Sequence, residues 1–152
     1  NAGWYLDGAV MIGSWFLPSG RVIVTEYYAG HEPNIVHRSF GYNVFNDNLD
    51  MVVLVDKGSA SASEILADAL RSYDVATMVG TNTFGKGVVQ ELFPITSDTS
   101  LKVTVARWLG PSGQQIPHDG LVPDVMATTS EELIKEGKDV QMDKAVEVLN
   151  KL

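Results

Sequence analysis

The chain predicts an α/β fold, and three consecutive stretches carry that prediction. Met51 to Val55 is a short continuous apolar run, which suits a central strand buried on both faces. Ser61 to Tyr73 follows with Ile65, Leu66, Ala69 and Leu70 at helical spacing, and Val75 to Val79 then returns to a β-rich run. Strand, helix and strand in that order make a βαβ unit, whose crossover is right-handed because a right-twisted strand feeds a right-handed helix.

The other elements follow in order. Tyr5, Ala9, Ile12 and Phe16 recur at helical spacing until Pro18 and Gly20, predicting a mostly buried helix over about residues 4 to 17. Arg21 to Tyr28 is β-rich and leads into a polar, glycine-containing stretch that ends near Asp50. Val88 to Phe93 and Leu101 to Trp108 read as two further strands joined through Pro94 and Ser97-Asp98. Val140 to Leu152 reads as an amphipathic helix with Met142, Ala145, Val146 and Leu149 on one face.

Composition narrows the function. A length of 152 residues with 45% hydrophobic content is one ordinary globular domain's worth. A net charge of −8 with no basic run repels a phosphate backbone and argues against nucleic acid as a partner. The longest apolar stretch, Ala9 to Leu17, is broken by Gly13 and Ser14 and falls far short of the ~20 residues that span a bilayer, so no membrane segment is expected. Cysteine is absent, which excludes disulfides and thiolate chemistry and leaves the compartment open.

The chemistry concentrates at two places. Residues 58 to 64 read G-S-A-S-A-S-E at a helix start, and residues 83 to 90 read T-F-G-K-G-V-V-Q. A serine hydroxyl is a weak nucleophile until a base takes its proton, and a desolvated, neutral lysine is such a base. Ser61 and Glu64 also fit the capping box S-x-x-E, so an N-cap is the plainer role of this serine. Ser59 and Ser63 remain rivals for the nucleophile. If Ser61 attacks a carbonyl, the free N–H of Ala62 at the positive end of the helix dipole can hold the oxyanion. Lys86 between two glycines reads most simply as a solvated turn residue. If a strand begins there, Lys86, Val88 and Gln90 share a face, and Gln90 can orient the lysine.

Two other chemistries fit poorly. Gly80 to Gly87 is one residue from the P-loop pattern, but Gly87 stands where a magnesium-binding hydroxyl belongs and Val88-Val89 continues as strand. His31, His37 and His118 show no metal-ligand spacing, and nothing marks one as a catalytic-triad histidine.

Taken together, the motifs resemble the carboxyl-terminal processing proteases, or tail-specific proteases, serine peptidases of the Clp protease/crotonase-like fold. The resemblance runs nearly end to end. It covers Val52 to Val55 before G-S-A-S-A-S-E-I, then Val79-Gly80, T-F-G-K-G with Gln90, Leu101 to Arg107, and Pro111 to Gly113. Gly120, Pro123-Asp124 and Gln141 to Ala145 complete it. It implies Ser61 as nucleophile, Lys86 as base, Gln90 as the residue orienting the lysine, and an oxyanion hole from the N–H groups of Ala62 and of Gly3 in an upstream turn. Asn1 to Trp4 departs from the family's N-P-G-G-like turn, with Ala for Pro and Trp for the second Gly.

The resemblance further implies cleavage of protein substrates near their C-termini through an acyl-enzyme, no metal or organic cofactor, and a place in the bacterial periplasm or outside the cell. It implies that residues 1 to 152 are the protease core of a longer protein, lacking a PDZ domain and upstream core strands. The sheet edge so left can recruit a second copy into a homo-oligomer. A peptide-binding module of the same fold without turnover is the alternative, and a P-loop-like nucleotide binder ranks third.

Overall fold

The structure, a computed structural model, describes residues 1–3, 5–45 and 49–152. In chain order the elements are α1 (Leu6–Phe16), β1 (Val22–Tyr27), β2 (Ile35–Arg38), β3 (Val52–Val55), α2 (Ala62–Ser72), β4 (Thr77–Gly80), β5 (Val88–Pro94), β6 (Ser100–Leu109), β7 (Val125–Met126), α3 (Glu131–Lys135) and α4 (Val140–Leu149). The expected βαβ unit is present: β3 and β4 pair in parallel, Val52 opposite Thr77 through Val55 opposite Gly80, with α2 as the crossover. β7 adds to β4 in parallel, giving a three-stranded sheet of order β3-β4-β7. The remaining strands form an antiparallel sheet of order β2-β1-β6-β5.

Both sheets and the first two helices close over one core. Ile23, Val24 and Met78 have no exposed surface, and Leu17, Ile65, Leu70 and Ile116 have almost none. Each such aliphatic side chain contributes ~1.5–3 kcal/mol relative to exposure. The stripe expected on α2 is the one that packs: Ile65, Ala69 and Leu70 are buried, together with Ala62 and Ala67.

Three expectations need correction. The buried face of α1 is Ala9, Val10, Gly13 and Ser14, whereas Tyr5 precedes the helix exposed and Ile12 is also exposed. Small residues decide this face. Gly13 lies against Ile23 and Leu66, and Ser14 is satisfied in the core, its Oγ donating to Val10 O at 2.6 Å and accepting from Phe40 N at 2.9 Å. Trp4, at the expected start of this helix, lies outside the described residues.

β3 is an edge strand of its sheet among the described residues and leaves Leu54 exposed, so its apolar run does not mark a central position. On α4 the packed residues are Ala145 and, in part, Val148, while Met142, Val146 and Leu149 face outward. The polar stretch before Asp50 also contains β2, a strand formed by pairing with β1.

Candidate active site

Ser61 stands between β3 and α2, in a turn whose own hydrogen bonds explain its shape. Asp56 organises the turn: its Oδ1 accepts from Gly58 N at 2.8 Å, and its carbonyl accepts from Ser59 N at 2.9 Å. Ser59 is buried, and its Oγ accepts from Asp56 N at 3.2 Å, so that hydroxyl is committed to the turn. Ser61 itself is half-buried and has φ 55° and ψ −119°. This conformation is costly for a residue with a Cβ, on the order of 1–3 kcal/mol, and such strain persists only where surrounding contacts enforce it. The capping box supplies one of them: Ser61 N–H donates to Glu64 Oε2 at 2.8 Å. The Ser61 hydroxyl faces the helix start without closing a capping hydrogen bond.

The N-terminal segment presses on the same helix start. Gly3 has φ 63°, and a Cβ there would lie 2.1 Å from Ala60 O and 2.6 Å from Ala62 N, so only glycine fits. Ala60 N–H donates to Asn1 O at 3.0 Å, which fastens the two segments. The two N–H groups expected to hold an oxyanion are thus adjacent but in different states. Ala62 N–H has no acceptor among the described residues, while Gly3 N–H donates to Asn1 Oδ1 at 3.0 Å.

Lys86 lies in the loop between β4 and β5, two residues before the strand starts at Val88. The flanking glycines reflect close approach of the 116–120 segment: a Cβ at Gly85 would lie 2.0 Å from His118 O, and one at Gly87 2.2 Å from Ile116 O. Thr83 N–H donates to Leu121 O at 3.1 Å, Phe84 N–H to Ser59 O at 2.9 Å, and Lys57 Nζ to Thr83 O at 3.0 Å. The loop backbone is therefore held from three sides.

The Lys86 side chain, by contrast, is exposed. Gln90 is exposed as well, and its Nε2 donates to Thr104 Oγ1 at 3.4 Å rather than meeting the lysine. No hydrogen bond joins Ser61 Oγ, Lys86 Nζ and Gln90 among the described residues. Val105 is an extra residue in β6 opposite the Val89–Gln90 step, a bulge that adds local twist to the strand pair carrying Gln90. His37 pairs with Glu26 at 2.7 Å, on β2 and β1.

Glu64 does more than the helix-cap role read from the sequence. It has no exposed surface, and its carboxylate accepts four hydrogen bonds. Oε1 accepts from Thr83 Oγ1 at 2.5 Å and Gly85 N at 2.7 Å; Oε2 accepts from Ser61 N at 2.8 Å and Lys86 N at 3.0 Å. A buried carboxylate is tolerable when its lone pairs are filled by donors in this way. One oxygen consequently fixes the backbone of Ser61 and Lys86 to each other. The S-x-x-E pattern marked this residue only as a local cap, because the partners at 83 to 86 are distant in sequence.

This chain is similar to known proteins over most of its length. Residues 1–127 match the model of peptidase family S41. It is 38% identical over 127 residues to a carboxy-terminal-processing protease of Bartonella bacilliformis, covering 83% of this chain and 29% of that protein. It is 36% identical over 129 residues to a probable CtpA-like serine protease of Staphylococcus aureus, covering 85% and 26%. Among solved structures, the photosystem II D1 C-terminal processing protease superposes with a TM-score of 0.72 at 31% identity, over 83% of this chain and 32% of that one. A putative S41 protease from Bacteroides fragilis, at 18% identity, shares the fold with a TM-score of 0.78 over 99% of this chain and 43% of that one. The chain therefore spans less than a third of the curated relatives it matches, and by the family match and these identities it belongs to peptidase family S41.

Proposed function

We propose that this chain is the catalytic core of a serine endopeptidase that cleaves protein substrates near their C-termini. In this reading Ser61 Oγ attacks the scissile carbonyl while Lys86 takes the hydroxyl proton and passes it to the amine nitrogen, which leaves as the acyl-enzyme forms; Lys86 then takes a proton from the water that attacks the acyl group and returns it to Ser61 Oγ as the acid is released. Ala62 N–H holds the oxyanion, joined by Gly3 N–H once that group leaves Asn1 Oδ1. Gln90 orients the lysine after turning from Thr104. The substrate adds as an extended strand, so its backbone hydrogen bonds supply affinity with little regard to sequence.

The observation that carries this reading is the single Glu64 oxygen accepting from both Ser61 N–H and Lys86 N–H. It holds a strained serine next to a lysine loop in a family of peptidases. On the same reading, residues 1 to 152 are the protease core of a longer envelope or extracellular protein with a PDZ domain for substrate tails. No helix among the described residues is long and apolar enough to cross a membrane.

A second reading, peptide binding without turnover, is favoured by the exposed Lys86, the outward Gln90 and the engaged Gly3 N–H. A fluorophosphonate probe applied to the full-length protein separates the two. Turnover predicts a covalent adduct on Ser61 that disappears in Ser61→Ala and persists in Ser59→Ala and Ser63→Ala. Peptide binding with no adduct selects the second reading. Loss of the Ser61 hydroxyl costs at most a cap, ~0.5–2 kcal/mol, so the alanine variant stays folded.

A further inference from the structure

Lys57 is exposed, yet its ammonium is engaged by the fold: Nζ donates to Thr83 O at 3.0 Å and to Asp119 O at 3.3 Å, carbonyls 26 and 62 residues further along the chain. It forms no ion pair among the described residues, so these two backbone carbonyls are its partners, and its charge strengthens both bonds. We infer that Lys57 is a positioning residue for the proposed reaction: it clips the loop that carries Lys86 to the serine turn and so sets how Lys86 stands relative to Ser61. The inference rests on the proposed roles of Ser61 and Lys86, and it adds a residue that neither touches substrate nor moves a proton.

The place of Thr83 gives this clip its reach. Thr83 has no exposed surface, and each of its polar groups is bonded. Its N–H donates to Leu121 O at 3.1 Å, its Oγ1 donates to Glu64 Oε1 and accepts from Leu121 N at 2.7 Å, and its carbonyl accepts from Lys57. A Cβ at Gly120 would lie 2.1 Å from Thr83 O, so the turn at 119–120 packs directly on the same peptide. Further along the loop, Lys86 N–H donates to Glu64 Oε2 at 3.0 Å. Lys57 precedes Ser61 and Glu64 follows it within one short segment, and that segment grips the lysine loop at two points, Thr83 O and Lys86 N. Without Lys57 the inner grip remains, and Thr83 O and Asp119 O lose the donor they share.

Two variants separate the clip from the bulk of the side chain. Lys57→Met keeps the length and the apolar stem and removes the donors, whereas Lys57→Arg keeps a charged group with enough donors for both carbonyls. The experiment measures kcat and KM of the full-length protein on an extended peptide, Tm by calorimetry, and labelling of Ser61 by a fluorophosphonate. A misplacement of about 1 Å costs up to ~10²-fold in rate, and here Glu64 still holds Lys86 N, so Lys57→Met lowers kcat by ~10-fold. KM stays within ~2-fold of wild type, because Lys86 acts in both acylation and deacylation and the two slow together. Tm moves by no more than ~2 °C, as for an exposed side chain, and Lys57→Arg returns kcat to within ~3-fold of wild type.

An unchanged kcat in Lys57→Met, a rise in KM alone, or an arginine variant as slow as the methionine variant overturns the inference, while labelling of Ser61 leaves the peptidase reading intact. A Tm that falls further than expected assigns Lys57 to the stability of the fold and overturns it as well. If the wild type neither cleaves the peptide nor takes the fluorophosphonate, the peptidase reading itself fails and the role of Lys57 falls with it.

Discussion

The serine turn and the lysine loop differ in how far their order extends. Around Ser61 both backbone and side chains are settled: Ser59 is spent on the turn, Glu64 is fully bonded, and Ser61 is held at a positive φ that no free chain would choose. Around Lys86 the backbone is equally fixed, by Glu64, His118, Ile116 and Leu121, yet the side chains of Lys86 and Gln90 stand in solvent. The difference teaches that the geometry of Ser61, the proposed nucleophile, is set down to its side-chain surroundings by the turn, the helix start and the Glu64 carboxylate. Lys86, the proposed base, has its backbone position fixed and its side-chain direction left to whatever packs over it, on the proposed function the substrate strand.

The largest test of that contrast is Lys86→Arg. Arginine keeps the charge and the length but cannot release a proton, so a lysine acting as base predicts a fall in kcat of ~10²–10⁴-fold, as deep as in Lys86→Ala. Turnover near wild type in the arginine variant would remove Lys86 from that role. Next is Glu64→Gln, which joins the two regions' fates. An amide keeps one accepting oxygen but turns an NH₂ group toward two N–H donors, a loss of ~1–3 kcal/mol. For a domain of this size that is a drop of roughly 2–12 °C in Tm, with activity falling alongside; an unchanged Tm by calorimetry would show that the four bonds are not holding the site.

Ser61→Gly sharpens the comparison from the other side. Glycine adopts φ near 55° freely, so the variant relieves strain while losing ~0.5–1 kcal/mol of chain entropy, and the net change is a gain of up to ~2 kcal/mol with activity abolished. Denaturation showing Ser61→Gly less stable than Ser61→Ala would refute the strain. The smallest effect belongs to Gln90→Ala. Its exposed amide reaches Thr104 only at 3.4 Å, so stability stays within ~0.5 kcal/mol, and only kcat falls if Gln90 orients the lysine.

Much of this was legible in the amino-acid order, and the rest was not, for identifiable reasons. The βαβ unit was readable because Val52 to Val55, the Ile65-Ala69-Leu70 stripe and the return at Thr77 each declare their period within a few residues. Faces were less readable. Large apolar residues suggested that Tyr5 and Ile12 point inward on α1, whereas Gly13 and Ser14 do, because small residues let the helix approach Ile23. Ile35 to Arg38 became a strand only through β1, a contact with no local signature. β7, two residues long, and α3, five, fall below what periodicity resolves. At the proposed site, the residues themselves offered Ser61 with Ser59 and Ser63 as rivals, Ala62, Lys86 and Gln90 as candidates, the resemblance alone chose Ser61 and added Gly3, and Glu64 was seen as a cap alone, since its bonds to Thr83, Gly85 and Lys86 close a loop that spacing cannot show.

That carboxylate also sets how the region breathes. The amide hydrogens of Ser61, Gly85 and Lys86 all point at the same two oxygens. Exchange of any one of them with solvent requires Glu64 to let go, and once it has swung out the other two are unprotected. These three amides, in two segments far apart along the chain, therefore belong to one opening unit and share one opening free energy, whereas the amides of the outer edge strand β2 open on their own.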